Sequence, residues 1–191
     1  LFQLSVGKRL GLGFATMLAL LLLVTGIAAA QISSMGERVR QVVEVNNAKA
    51  SLANSLLDSI NEMGIQVRGL VLLTDAKEIA AEMKLLDAAR EHYLKGEADL
   101  NALMGKDSSA DAQLLAELKQ TAQTALPLLA KAAKEGAEGA NIDATMTLTQ
   151  AVKPAEARWR AKVGDIIKAQ DQASHAARES LAAGESRSQL L

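Results

Sequence analysis

The sequence predicts an all-α protein, with an antiparallel up-down-up-down four-helix bundle preceded by a transmembrane helix that continues into helix 1. Two observations favour this fold class. Hydrophobic residues make up 49% of the 191 residues but aromatic residues only 2%, a composition typical of Ala- and Leu-rich helices. Apolar residues also recur in steps of three and four along most of the chain, which is the period of an amphipathic helix.

The first predicted element is a membrane span. From Leu10 to Gly36 the sequence has no ionisable side chain. About 20 apolar residues in a helix cross a hydrocarbon core of ~30 Å. We therefore expect a transmembrane helix over 10–30.

The orientation of this span follows from its flanks. Lys8 and Arg9 precede it, and basic residues favour the cytoplasmic side. Residues 1–9 are then a cytoplasmic leader, and residues 31–189 form a domain outside the cytoplasm. The alternative is a secretory signal peptide cleaved after Ala30, which would release a soluble periplasmic helical binding protein.

Helix 1 of the bundle is predicted from a long heptad seam. Apolar or small residues repeat in steps of four and three from Val39 to Val71. Asn46 takes an inward position, and Ala50 and Gly64 are small. The seam is compatible with two readings, close contact with a second copy of this helix or packing within one chain.

Helix 2 begins after Asp75, which has the spacing of an N-terminal capping box with Glu78. Gly105 is expected to end this helix as a left-handed cap. Its apolar stripe comprises Ile79, Met83, Leu86, Arg90, Tyr93, Leu100 and Met104.

Helix 3 follows a polar turn and begins near Asp111, and Gly136 and Gly139 end it. Helix 4 is predicted to begin with Asn141 as its cap, and Pro154 either kinks it or marks its start. Its stripe comprises Ile142, Met146, Thr149, Val152, Trp159, Val163, Ile166, Ile167, Ala173, Ala177 and Leu181. Residues 190–191 are interpreted as the start of a second transmembrane helix.

Several classes of function are disfavoured. The chain has no cysteine, so it offers neither disulfides nor thiolate ligands, and a net charge of −1 gives no electrostatic reason for nucleic-acid binding. His92 and His175 lie on different predicted helices, without the spacing of a metal site. No nucleophile, base and orienting group are expected to converge. We expect no cofactor and no enzymatic activity.

The arrangement resembles a bacterial methyl-accepting chemotaxis receptor. The resemblance rests on the basic leader and span at Lys8–Phe14, the end of helix 1 at Arg68–Asp75, the Pro154 region and the polar fourth helix at Asp165–Gln170. It covers essentially the whole chain, which corresponds to the first transmembrane helix and the periplasmic four-helix-bundle sensor of such receptors. Some membrane histidine kinases and cyclic-dinucleotide enzymes carry the same kind of sensor.

The resemblance implies a bacterial inner-membrane location with residues 31–189 in the periplasm, and a homodimer formed through helix 1. It also implies that a small ligand moves the fourth helix and thereby controls a cytoplasmic histidine kinase and its adaptor, through regions outside this chain. A ligand achieves this only by binding two signalling states with different affinity. An anchored structural adaptor is the other class of protein compatible with this pattern.

Arg90 is the leading candidate for the ligand site, because the predicted stripe of helix 2 places its guanidinium between Leu86 and Tyr93. A buried guanidinium needs a partner. We expect it to bind a ligand carboxylate while the Tyr93 hydroxyl donates a hydrogen bond. The alternatives are that Arg90 extends to solvent or pairs with Glu62.

Other candidates lie at a similar depth in the predicted bundle: Thr121, Thr124, Arg158 and Trp159. For these residues simple packing is the alternative. Receptors of the resembled family bind amino acids through several arginines near the distal end of helix 1. Here Arg68 stands alone, so we expect a small organic acid instead, a di- or tricarboxylate bound within one bundle.

Overall fold

The computed structural model describes residues 6–105 and 109–188. Its elements are α1 (Val6–Leu70), α2 (Ala76–Met104), α3 (Ser109–Ala137), α4 (Asn141–Met146), a π-helical segment (Thr147–Val152) and α5 (Lys153–Ser188). No strand occurs among the described residues, so the all-α class is confirmed. The start of the leader, the middle of the turn before α3 and the predicted second span at 190–191 lie outside the described residues.

The chain divides into two compact units. One comprises Leu1–Glu44 with His175–Leu191, and the other comprises Val45–Ser174. We call the second of these the helical unit. Over the residues that the structure describes, no helix combines the length and the hydropathy of a membrane span. The transmembrane assignment of 10–30 stays a prediction.

The helix ends agree in part with the sequence. Asp75 is the N-cap of α2, and its Oδ1 accepts hydrogen bonds from Lys77 N at 2.9 Å and Glu78 N at 3.1 Å, as expected. The left-handed cap predicted at Gly105 is wrong, because its φ is −66° and its N–H bonds Asn101 O. The left-handed glycine among the described residues is Gly139, with φ 77° after α3.

The Asn141 cap is also wrong. Ala140 is the N-cap of α4, and Asn141 is the first helical residue. The tight turn at Gly139 explains the shift, since the Ala140 N–H still donates to Glu135 O, at 2.9 Å, while its own carbonyl accepts from Ala144 N. Helix α4 therefore begins one residue earlier than the sequence suggests.

The core of the helical unit draws on α1, α2, α3, α5 and the π-helical segment. The predicted stripes are buried along most of their length, and each large side chain removed from water stabilises the fold by about 1.5–3 kcal/mol. The fully buried large residues are Leu56, Ile60, Met63, Val67, Leu70, Tyr93, Leu100, Met104, Leu118, Val152, Trp159 and Ile166.

The predicted stripe is wrong before Val152. Ile142 is 81% exposed and Met146 50% exposed, whereas Ala144 and Thr147 are buried. The buried positions step by three, from 144 to 147, and then by five, to 152. A step of five fits the π-helical turn, which holds one residue more than an α-helical turn.

Pro154 accounts for this wide turn. Proline has no N–H, and its ring collides with the carbonyl four residues earlier in an α-helix. Here the preceding Lys153 N–H bonds Leu148 O, five residues back. The turn opens to make room for the ring, and the helix continues into α5 without a break.

Close approaches show which parts of the helices meet. A Cβ on Gly96 would lie 2.8 Å from Leu56 Cδ2, so α2 packs tightly on α1 there. A Cβ on Gly136 would lie 3.1 Å from the backbone carbonyl carbon of Leu70. Only glycine allows the end of α3 to approach the end of α1 this closely.

A buried polar layer joins α1, α3 and α5 near one end of the helical unit. Lys49, 3% exposed, donates to Asp111 Oδ2 at 2.9 Å, and Gln170 Nε2 donates to Asp111 Oδ1 at 3.1 Å. Asn46 and Ser174 are also buried. Each lies about one helical turn from a member of this layer, Asn46 from Lys49 on α1 and Ser174 from Gln170 on α5. Asn46 thus packs within one chain, which agrees with the second reading of the seam.

We predict that Asp111→Asn destabilises the fold by about 3–5 kcal/mol, because it removes the carboxylate charge that lies 2.9 Å from the buried Lys49 ammonium. Replacing both residues, by Lys49→Met and Asp111→Leu, should recover most of this loss. Urea unfolding followed by circular dichroism measures both. Glu138→Gln breaks an exposed pair with Lys134 and serves as the control, with an expected cost under about 1 kcal/mol. An Asp111→Asn cost no larger than that of the control would contradict the prediction.

Candidate functional site

A cavity of about 220 Å³ lies between α1, α2 and α3, and we call it the Arg90 cavity. Its lining residues are Met63, Met83, Leu86, Asp87, Arg90, Leu126, Leu129, Ala130, Ala133 and Lys134. Short residues on α3, above all the two alanines, leave the space that larger side chains would fill. The cavity therefore follows from the Ala-rich composition of the chain.

The cavity has an apolar floor and a charged rim. Met63, Leu86, Leu129 and Ala133 are buried, whereas the three charged residues are exposed. The expectation that Arg90 points inward is therefore wrong. Ala89, 3% exposed, takes the inward position between Leu86 and Tyr93 instead.

The rim carries two cations and one carboxylate, from Arg90, Lys134 and Asp87. Among the described residues, Arg90 has neither an ion pair nor a hydrogen bond. The Lys134 Nζ lies 3.8 Å from Glu138 Oε1 in an exposed pair, which is a weak interaction. The guanidinium is thus free to receive an anion at the mouth of the cavity.

Tyr93 and Trp159 form a buried pair in the core, each with 0% exposure. The indole Nε1 donates to the Tyr93 hydroxyl oxygen at 3.0 Å, and the rings meet edge to face with centroids 4.6 Å apart. Burial, and next the negative charge of Glu97, raise the pKa of the Tyr93 hydroxyl well above its ordinary value. Neither residue lines the Arg90 cavity, so the Tyr93 hydroxyl and the Trp159 indole nitrogen are not part of the cavity wall.

A second cavity, of about 270 Å³, lies between α3 and α5 and brings together three predicted site residues. Thr121, Thr124 and Arg158 line it with Gln120 and Ala155. Both threonine hydroxyls already donate to backbone carbonyls of α3, at 2.8 and 3.0 Å. We call this the α3–α5 groove, and Arg158 is its only charged lining residue.

Arg68 lies elsewhere, in a cluster around Glu156. The Glu156 carboxylate, with its side chain 5% exposed, accepts from Arg68 Nη2 at 3.1 Å and is also bound by Arg160. Two guanidinium groups therefore share one buried carboxylate between α1 and α5. Arg68 is held by the protein itself, and the sequence pattern of single helices did not reveal its partner.

A third cavity, of about 320 Å³, lies between α1 and α2 and is acidic. Asp58, Glu62 and Asp99 line it together with His92 and Lys95. An excess of carboxylates makes it unsuitable for an organic acid. Glu62 lies in this cavity and makes no pair with Arg90, so that alternative is wrong. Over the described part of the chain, no group of His, Cys, Asp or Glu is arranged to hold a metal ion.

The predicted site residues therefore fall into four places. Sequence reasoning missed Asp87 and Lys134 at the Arg90 cavity. Asp87 could have been found, because it lies three residues before Arg90 on the same helix face. Lys134 could not, since its proximity depends on how α2 and α3 pair. The ligand-binding roles of all these residues stay predictions.

Comparison of the chain with protein-family models, with curated proteins and with solved structures finds no match.

We predict that Tyr93 remains protonated in the native protein well above pH 10, where an ordinary tyrosine with a pKa of about 10 ionises. Because the folded-state pKa is raised, this group's contribution to the free energy of unfolding is fully present below the unfolded pKa. It is lost as the pH rises through the folded pKa. Tyr93 is the only tyrosine, so tyrosinate ultraviolet absorbance reports it alone.

The control for this titration is the same chain in concentrated urea, where the hydroxyl should ionise near pH ~10. Urea midpoints measured between pH 8 and 11 should fall as the pH rises. A native titration that coincides with the urea control would show that the hydroxyl is accessible to water.

Proposed function

We propose that this chain is the ligand-sensing portion of a transmembrane chemoreceptor, which binds a small organic acid in the periplasm and transmits a helix displacement to cytoplasmic kinase control. The observation that carries the proposal is the unpaired Arg90 guanidinium beside a cavity with an apolar floor. A soluble acid has the complementary charge. No chemical step is required of the protein, because differential binding to two states is sufficient for signalling.

The N-terminal part of α1 supports the membrane anchor. Its large apolar side chains project on every side of the helix and are exposed: Phe14, Met17, Leu18, Leu20, Leu21, Leu22, Leu23 and Val24, each 53–70% exposed. Soluble monomers rarely expose such a contiguous apolar surface. In the full sequence the uncharged run extends from Leu10 to Gly36, which is long enough to cross a bilayer.

The finer architecture that we propose for the helical unit is an antiparallel up-down-up-down bundle. As α1 advances from Leu56 to Gly69, its α2 contacts retreat from Gly96 to Glu82. Likewise α3 advances from Asp111 to Glu117 while its α5 partners retreat from Gln170 to Lys162. Such pairs support opposite directions for neighbouring helices.

A parallel relation between α1 and α3 completes this arrangement. Lys49 contacts Asp111, and Leu70 contacts Gly136, so both helices advance together. We further propose that the receptor is a homodimer formed through α1. Ile65, which is 61% exposed on α1, is an apolar side chain available for such a contact.

Thermal unfolding tests the sensor proposal. A ligand that binds only the native state at a hundred times its dissociation constant stabilises it by about 2.7 kcal/mol. We expect at least one small organic acid, from a panel of mono-, di- and tricarboxylates, to raise the unfolding temperature of the chain in lipid nanodiscs. Arg90→Ala should abolish this shift.

Arg178→Ala is the matched control, because it removes an exposed arginine of α5 that lines none of the described cavities. It should leave the shift unchanged. A panel without any stabilising acid, or equal shifts in the wild type and Arg90→Ala, would refute acid sensing at this cavity.

Membrane fractionation tests the anchor. After expression in a bacterial host and an alkaline wash, the chain should remain in the membrane pellet and yield intact peptides that contain Phe14–Val24. A variant that lacks residues 1–30 should move to the soluble fraction, because the uncharged segment is gone. A mature protein that begins at Gln31 would contradict the anchor and favour cleavage.

A further inference from the structure

We infer that the Arg90 cavity selects monocarboxylates with a compact apolar body, of about the size of benzoate, over di- and tricarboxylates. The inference rests on the proposed function and defines its ligand class. It also changes the di- or tricarboxylate expected from the sequence. Three properties of the cavity carry it: its volume, the chemistry of its floor and the charges on its rim.

The volume limits the size of the ligand. An engineered apolar cavity of about 150 Å³ in another protein binds benzene. The Arg90 cavity, at about 220 Å³, has room for a ring of that size and one further polar group. Larger acids would have to displace Leu86 or Leu129, which are packed in the core.

The floor determines which part of the ligand enters. Met63, Leu86, Leu129 and Ala133 present only carbon and sulfur atoms to the buried end. A carboxylate placed there would lose its hydration without gaining a hydrogen bond, which is strongly unfavourable. An apolar ring or short alkyl chain gains from the same contact. The carboxylate must therefore stay at the rim.

The rim accommodates one carboxylate better than two. Arg90 can bind a carboxylate through two parallel hydrogen bonds, and Lys134 adds a second positive charge nearby. Asp87 lies three residues from Arg90 on the same face of α2 and repels any additional anionic group. A succinate or citrate ion either buries a carboxylate against the apolar floor, or keeps its carboxylates at the exposed rim near Asp87 and forgoes the apolar contact of the floor.

Isothermal calorimetry of the whole chain in nanodiscs tests this selectivity with four probes: benzoate, its neutral isostere benzamide, succinate and citrate. Benzoate should bind at least tenfold more tightly than each of the others. Arg90→Ala should weaken benzoate by about 10- to 100-fold, the usual effect of losing a charge-assisted hydrogen bond. Titration of benzoate into nanodiscs that carry Arg90→Ala also measures the heat of benzoate entering the lipid, which is subtracted from the wild-type titration.

A steric variant tests the location. Ala130→Leu adds a side chain at an exposed position that lines the cavity and should also weaken benzoate at least tenfold. Ala116→Leu makes the same change at an exposed position of α3 that lines none of the described cavities, and should leave binding unchanged. Circular dichroism melting of each variant shows whether it folds like the wild type.

The outcomes separate this inference from the proposed function. Tighter binding of succinate or citrate than benzoate, with dependence on Arg90, would overturn the inference and leave acid sensing standing. Equal binding of benzamide and benzoate would overturn recognition of the carboxylate, and with it both proposals. Absence of binding by all four probes would overturn the inference, whereas acid sensing would then fail only if the wider acid panel also gave no thermal shift.

Discussion

The need to pair a buried charge constrains how the helices of this protein meet. Lys49 and Asp111 are both removed from water, and an ammonium or carboxylate there is tolerated only opposite its partner. Gln170 completes the layer from α5. Together with the close approach of Gly136 to Leu70 and the Arg68–Glu156 pair, this layer fixes how α1, α3 and α5 align.

With the alignment set, the positions of the cavities follow from side-chain size. Ala130 and Ala133 on α3 face Leu86 and Met63, and two short side chains leave a gap that the core does not fill. Asp87 and Arg90 lie on α2 and Lys134 lies on α3, so Lys134 is their neighbour only while these two helices keep their alignment. Binding of the proposed ligand therefore depends on helix register, which is the coupling that the proposed sensor function requires.

The sequence predicted the helical class, the Asp75 cap and the level at which Tyr93 and Trp159 meet, because local propensity and periodicity determine these features. It misplaced Arg90. Steps of three and four from Leu86 lead to 89 and 90, and only tertiary contacts decided that Ala89 faces inward. The partners of Arg68 and Lys49 could not be predicted either, since pairing between helices requires their relative register. No pattern within a single helix carries that information.

The π-helical turn before Pro154 divides one continuous helix, from α4 to α5, into two parts whose buried faces point in different directions. The face that packs on neighbouring helices before the π-helical turn is offset from the face after it by about 100°, the rotation of one residue in an α-helix. If the π-helical turn moved along the helix, the residues that it passed would rotate relative to the rest of the helix, and the backbone hydrogen bonds would remain continuous. Rotation can thus be absorbed within the helix itself, where α3 contacts both α4 and the π-helical segment.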